Sequence, residues 1–138
     1  MAGQILVQVR QHSATTTEGE ARGHKVLIDR PLAKEGTDLG MMGGEMLLVA
    51  LGGCFNSNLL AAIRAREAAV SNVVIDITGT LVDNPTRYSA IQVDITARDS
   101  DPELMEKLVT MSERACIVAN SLRGALDLKF NIRQAQSA

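Results

Sequence analysis

The sequence predicts an α+β fold. Three observations carry this: strand-like stretches in which apolar and polar residues alternate, a long apolar helical stretch between two groups of them, and a pair of helix signals before the last strand. The predicted order is ββαββααβ, with helices packed on an antiparallel sheet. Residues 1–138 read as a single domain without internal repeat, low-complexity tract or linker.

In "QILVQVR" (4–10), Ile5, Val7 and Val9 share one side of a strand, because side chains alternate with period two. The Thr/Gly-rich "HSATTTEGEA" follows, then "HKVLID" (24–29), the natural hairpin partner of the first strand. Pro and Gly make "RPLAKEGTDLGMMGG" (30–44) a loop. The helix predicted over 44–68 is apolar nearly all round from Met46 to Phe55, the pattern of a helix buried on every side. Two longer strands, "SNVVIDITGTLVD" (71–83) and "YSAIQVDITARD" (88–99), turn at Asn84 and Pro85. In the second, Ile91, Val93, Ile95 and Ala97 face a core. A helix follows over 99–114, with Asp101 as N-cap and Pro102 at its first position. A shorter one (116–125) stops at Gly124, and "LDLKFNIR" (126–133) closes the chain with Leu126, Leu128, Phe130 and Ile132 on one face.

Composition excludes several functions. A net charge of −2, one Tyr, two Phe and no Trp leave no basic, base-stacking face for nucleic acid. The longest apolar run, "MLLVALGGCF" (46–55), has ten residues, too short to span a bilayer, and the amino terminus lacks a secretory signal pattern. The expected compartment is the cytosol, where a lone cysteine pair reads as reactive or simply buried rather than as a permanent disulfide. No metal site is expected: Cys54 and Cys116 have no C-x-x-C spacing, and His12 and His24 both lie near the first hairpin. No nucleophile elbow and no glycine-rich phosphate loop occur.

The chemistry therefore centres on the cysteines. Gly52 and Gly53 stand directly before Cys54, although each glycine inside a helix costs about 1 kcal/mol. They allow a close approach of backbone or substrate, and the polar Asn56, Ser57 and Asn58 that follow suggest a local polar pocket. Cys116 falls at a helix junction, where a helix amino terminus favours a thiolate. The bland reading of Cys54 is a small buried hydrophobe, and that of Cys116 a half-buried thiol at a helix junction. Glu45 is a first-turn acid at the start of the long helix, and Arg10, Arg22 and Arg30 precede it.

Together, "GEMLLVALGGCF" after a glycine-rich loop, a long strand pair and "SERACIVANSL" resemble the OsmC/Ohr family, the osmotically inducible and organic hydroperoxide resistance proteins. The likeness covers nearly the whole chain and is most specific at 45–54 and 114–122. It implies an intertwined homodimer, with long central helices wrapped by antiparallel sheet and a site at the subunit interface. It also implies a cysteine-based peroxidase for organic hydroperoxides: Cys54 peroxidatic, Cys116 resolving, Glu45 orienting an arginine, and an external dithiol, a lipoylated protein in relatives, as reductant in place of a bound cofactor. Arg22 matches the arginine of the hydroperoxide-resistance branch and Arg30 that of the osmotically inducible branch; Arg22 is preferred. Relatives often carry proline just before the glutamate, where this chain reads "MMGG", leaving the helix start free. An alternative within the same resemblance is a catalytically weak homodimer that binds small apolar ligands.

Cys54 needs a cation nearby, because a free thiol titrates near about 8.5 and burial makes ionisation harder; a guanidinium held by Glu45 would supply it. Glu45 and Cys54 are nine residues apart, about 13.5 Å along a continuous helix. Either the helix breaks at the glycines or the pair in one site comes from two subunits. Leu39, Met41, Met42 and Phe55 are expected to line a pocket suited to an alkyl or aryl hydroperoxide.

Overall fold

A computed structural model describes residues 3–99 and 101–133 and divides the chain into two compact units, Met1–Leu47 and Leu48–Ala138. In the first, β1 (Gln8–Gln11), β2 (Thr17–Ala21) and β3 (His24–Ile28) form an antiparallel sheet in that order. Ser13 turns the chain between β1 and β2, its hydroxyl accepting the Thr15 and Thr16 N–H groups at 3.3 and 3.0 Å. Thus β1 pairs with a strand absent from the sequence reading, not with β3 as expected. The β2–β3 turn is just Arg22 and Gly23, both at positive φ (52° and 84°), the conformation that matches the twist of a tight hairpin.

The loop after β3 is organised by a carboxylate. Asp29, 3% exposed, accepts the Thr16 hydroxyl (2.9 Å), the Thr37 hydroxyl and N–H (the latter 3.2 Å), the Leu39 N–H (3.3 Å) and the Arg30 N–H (2.7 Å). The Thr37 hydroxyl bond, against the opposing effect of burial and helped by the Arg30, Leu39 and Thr16 donors, holds its pKa well below the usual carboxylate range. Gly36 and Gly40 permit the tight path, since a Cβ on either would strike the Arg30 or Leu27 carbonyl.

Helix α1 (Gly43–Ala65) follows, unbroken through both glycines. Then β4 (Val70–Val82) and β5 (Arg87–Asp99) form a long antiparallel hairpin. Helix α2 (Pro102–Ala115) starts as expected, Asp101 accepting the Leu104 N–H at 3.2 Å and Pro102 opening the helix. Ser100, inside the expected helical stretch, lies outside the described residues. Helix α3 (Ile117–Leu122) and β6 (Asp127–Ile132) complete the chain. The sheet of β4, β5 and β6 is mixed rather than purely antiparallel: β6 pairs parallel to β5, because α2 and α3 form the crossover that a parallel return requires.

The second unit's core is apolar. Leu51, Phe55 and Leu59 of α1 meet Ile91, Val93, Ile95 and Ala97 of β5, the predicted face, together with Met105, Leu108 and Val109 of α2. Phe55 and Phe130 pack with ring centroids 4.9 Å apart. Contrary to the expectation of burial all round, α1 buries only the stripe Leu51, Gly52, Phe55 and Leu59, and leaves Val49 52% and Leu60 48% exposed. By length and composition alone α1 could cross a bilayer, as the core helix of a water-soluble protein also can.

Candidate active site

Cys54 is half-buried beside the core stripe of α1. Cys116 is fully buried and is both the C-cap of α2 and the N-cap of α3. Its backbone is extended (φ −78°, ψ 114°), so the chain bends there and points the start of α3 inward. The first N–H groups of a helix have no partner within it. Here they serve sulfur: Ala119 N–H bonds Cys116 Sγ at 3.4 Å, and the Ile117 and Val118 N–H groups lie near enough to Cys54 to favour its ionisation.

The two thiols are close enough for each to perturb the other's ionisation, and both cysteines are free. Their environments push them apart. Burial raises the Cys54 pKa, but the Val118 N–H, the Cys116 thiol and the Ile117 N–H overcome it, and the net shift is downward. Cys116 moves up, through burial above all, with Ala119 and Val118 N–H opposing and a neighbouring Cys54 thiolate adding to the rise. The arrangement favours ionisation of Cys54 over Cys116.

The junction is tied from several sides. Asn120 Nδ2 donates to the Arg114 carbonyl at 3.0 Å, and Arg123 bonds Glu113 at 3.4 Å and Asn120 at 3.2 Å. Asn58, one turn beyond Cys54, donates from Nδ2 to the Ser112 carbonyl at 3.3 Å. The polar break after Cys54 thus has a partial explanation. Ser57 is exposed, and Asn56 holds a buried Oδ1 without a partner among the described residues. The sequence placed a helix amino terminus at Cys116 and expected it to favour a thiolate there; instead burial raises Cys116, and the Val118 and Ile117 N–H groups favour ionisation of Cys54. The polar run containing Asn58 was a signal whose partner lay 54 residues on.

Glu45 is exposed in the first turn of α1, where its Oε1 accepts the Met42 N–H at 2.9 Å. That is the return half of a capping box, and it holds the helix start without the proline that relatives carry. Because α1 is continuous, Glu45 and Cys54 share one intact helix, and of the two alternatives the break at the glycines does not occur. Arg10 is engaged by Glu18 and Glu20 at 3.8 and 3.6 Å. Arg22 is exposed in the β2–β3 turn. Arg30 is also exposed and lines a cleft of about 380 Å³ with Thr15, Thr17, Lys34 and Met42. Leu39 and Met41 are exposed in the loop of the first unit and Met42 is half-buried there, whereas Phe55 is a core residue of the second unit with no surface open to a ligand. Among the described residues no group of three or more His, Cys, Asp or Glu side chains could hold a metal ion.

A long core helix bearing a half-buried cysteine, met by a second cysteine at a bend between two helices, defines a dithiol protein of the α+β class. A family model described as OsmC-like protein matches residues 36–131, and the chain belongs to that family. A hypothetical protein from Aquifex aeolicus VF5 shares the fold with a TM-score of 0.83 at 17% identity over 99% of this chain and 100% of its own. A putative osmotic stress induced and detoxification response protein from Psychrobacter arcticus gives 0.81 at 18% identity over 96% and 98%. The organic hydroperoxide resistance protein OhrB of Bacillus subtilis gives 0.69 at 17% identity over 95% and 98%. No curated protein matches the sequence.

Proposed function

We propose that this protein is a cysteine-based peroxidase for organic hydroperoxides that acts as a homodimer in the cytosol. The observation that carries the reading is the apposition of Cys54 and Cys116 under the first turn of α3. The Cys54 thiolate attacks one peroxide oxygen; the O–O bond breaks, the alcohol leaves with a proton, and Cys54 becomes a sulfenic acid. Cys116 then displaces the hydroxyl, forming the Cys54–Cys116 disulfide and releasing water. An external dithiol, in relatives a lipoylated protein, reopens it by exchange, giving up two electrons and two protons.

Two backbone N–H groups and a thiol already favour the thiolate, so the arginine expected from the resemblance, Arg22 or Arg30 held by Glu45, would add to a stabilised sulfur. The unbroken α1 supports the two-subunit alternative for Glu45 and Cys54, and the exposed Val49 and Leu60 offer apolar surface to a partner chain. Leu39, Met41 and Met42 remain the apolar residues proposed to favour an alkyl or aryl peroxide. Mass spectrometry after one equivalent of cumene hydroperoxide tests the reading: loss of two hydrogens with a Cys54–Cys116 crosslink is expected, and unchanged thiols would overturn it. In that case the binding-module reading, favoured by two exposed candidate arginines, takes its place.

A further inference from the structure

We propose that Asn58 is a positioning residue that sets the Cys54–Cys116 pair by capping the end of α2; the inference rests on the proposed two-cysteine chemistry. In a regular helix the Cys116 N–H would bond the Ser112 carbonyl four residues back. Here it bonds the Glu113 carbonyl instead, at 3.2 Å, and the Ser112 carbonyl is left for another donor at a residue only 2% exposed. Asn58 Nδ2 supplies that donor. The amide orientation follows, since only its nitrogen can serve a carbonyl.

The residue numbers form a ladder. Asn58 lies four residues beyond Cys54 and Ser112 four before Cys116, so the Asn58–Ser112 bond and the sulfur pair are successive rungs between α1 and the C-terminal end of α2. Beyond the lower rung the helices do not close on each other. A cleft of about 300 Å³ opens there, lined by Asn58, Ala61, Ala62, Met111 and Ala115. Small residues around a cleft give little packing to hold the seam. The Asn58 bond, with Arg66 reaching Met111 Sδ at 3.5 Å, therefore sets how α2 ends and where Cys116 stands over Cys54.

The test uses the full-length protein in glutathione redox buffers, where Cys54 and Cys116 give two electrons and two protons to glutathione disulfide, which leaves as two glutathione thiols. The fraction crosslinked, read by mass spectrometry after alkylation, gives the effective concentration of Cys116 at Cys54. Asn58→Leu is expected to lower it about fivefold, the scale of one net hydrogen bond, and to move the pH midpoint of Cys54 alkylation upward. Asn58→His, with a ring N–H of similar reach, is expected to restore both. If Asn58→Leu does not fold, Asn58→Asp, of the same shape with an acceptor in place of the donor, is read in the same buffers and falls at least as far. An effective concentration in Asn58→Leu equal to wild type, or an equal fall in the leucine and histidine variants, overturns the proposal. No peroxide enters this measurement, so a wild-type protein inert to hydroperoxide would sink the peroxidase reading and leave the Asn58 result to be read on its own.

Discussion

The residues up to Leu47 and those from Leu48 on are held by opposite means. In the first unit the buried side chains are Thr16 and Asp29, and the apolar Ile5, Leu6, Val9, Val26 and Leu39 are exposed. In the second, twelve apolar residues from Leu51 to Ala119 are buried together. One unit is framed by hydrogen bonds to a carboxylate, the other by area removed from water. The first should therefore answer to pH and to single donors, the second to cavities. The unspent apolar surface of the first is what a partner surface would cover.

The largest expected effect is in the second unit. Phe55→Ala removes the ring packed on Phe130 and should cost about 3–5 kcal/mol in urea denaturation. Hydrogen exchange then sharpens the contrast. If the Thr37 and Leu39 amides lose as much protection as those of β5, the two units open together and the distinction dissolves.

Asp29→Asn is the matching test of the first unit. It keeps the side-chain shape, loses the charge and sets an NH₂ among donors, so the Arg30, Thr37 and Leu39 amides should lose protection. The sign of the pH dependence is set by a folded pKa below the unfolded value of about 3.9. The carboxylate's contribution is complete above that value and is lost as pH falls from it through the folded pKa. Acid should thus release these amides in the wild type and change little in the variant. Asp94, held low by Asn131 and Gln92 against burial and with help from Arg133, carries the same sign on β5, but there the apolar core persists when it is protonated.

The cysteine pair is the place where the second unit uses the first unit's means, donors converging on an anion. Cys54 alkylation should show a pH midpoint below that of an ordinary thiol, since the thiolate exists above a lowered pKa. Cys116→Ala removes one of the donors and should raise that midpoint. A midpoint unmoved by the substitution would mean that Cys116 does not donate to Cys54.

What could be read in advance divides along the same line. Period-two alternation located β5 and its core face, and Asp101–Pro102 located the start of α2, because burial and capping write local patterns. The strand Thr17–Ala21 escaped notice because "TEGEA" pairs on both sides without an apolar stripe. Asp29 gave no signal, since a buried carboxylate is defined by donors up to 13 residues away. The cysteines were legible as candidates and so was the helix start at Cys116; that its N–H groups serve Cys54 rather than Cys116 was not, because it depends on how α1 packs against α3, far along the chain. Arg22 was singled out by the family resemblance alone; its local role is to turn a hairpin at positive φ.

The smallest effects separate the paired glycines of α1. A Cβ on Gly52 would stand 2.5 Å from Ile77 Cδ1, the flexible end of a side chain that must shift. Gly52→Ala should therefore gain about 1 kcal/mol in helix propensity and lose about 1–3 to overpacking, a net loss of at most about 2 kcal/mol. A Cβ on Gly53 meets nothing within 4 Å. Within one chain, Gly53→Ala should stabilise by up to about 1 kcal/mol. If a partner chain packs over Val49, Gly53 and Leu60, the same methyl obstructs it, and sedimentation equilibrium would record weaker association beside a more stable protomer. Stabilisation with unchanged association would instead mean that Gly52 alone has a packing reason, the approach of β4 to α1, and that the face of α1 bearing Gly53 is not where two chains meet.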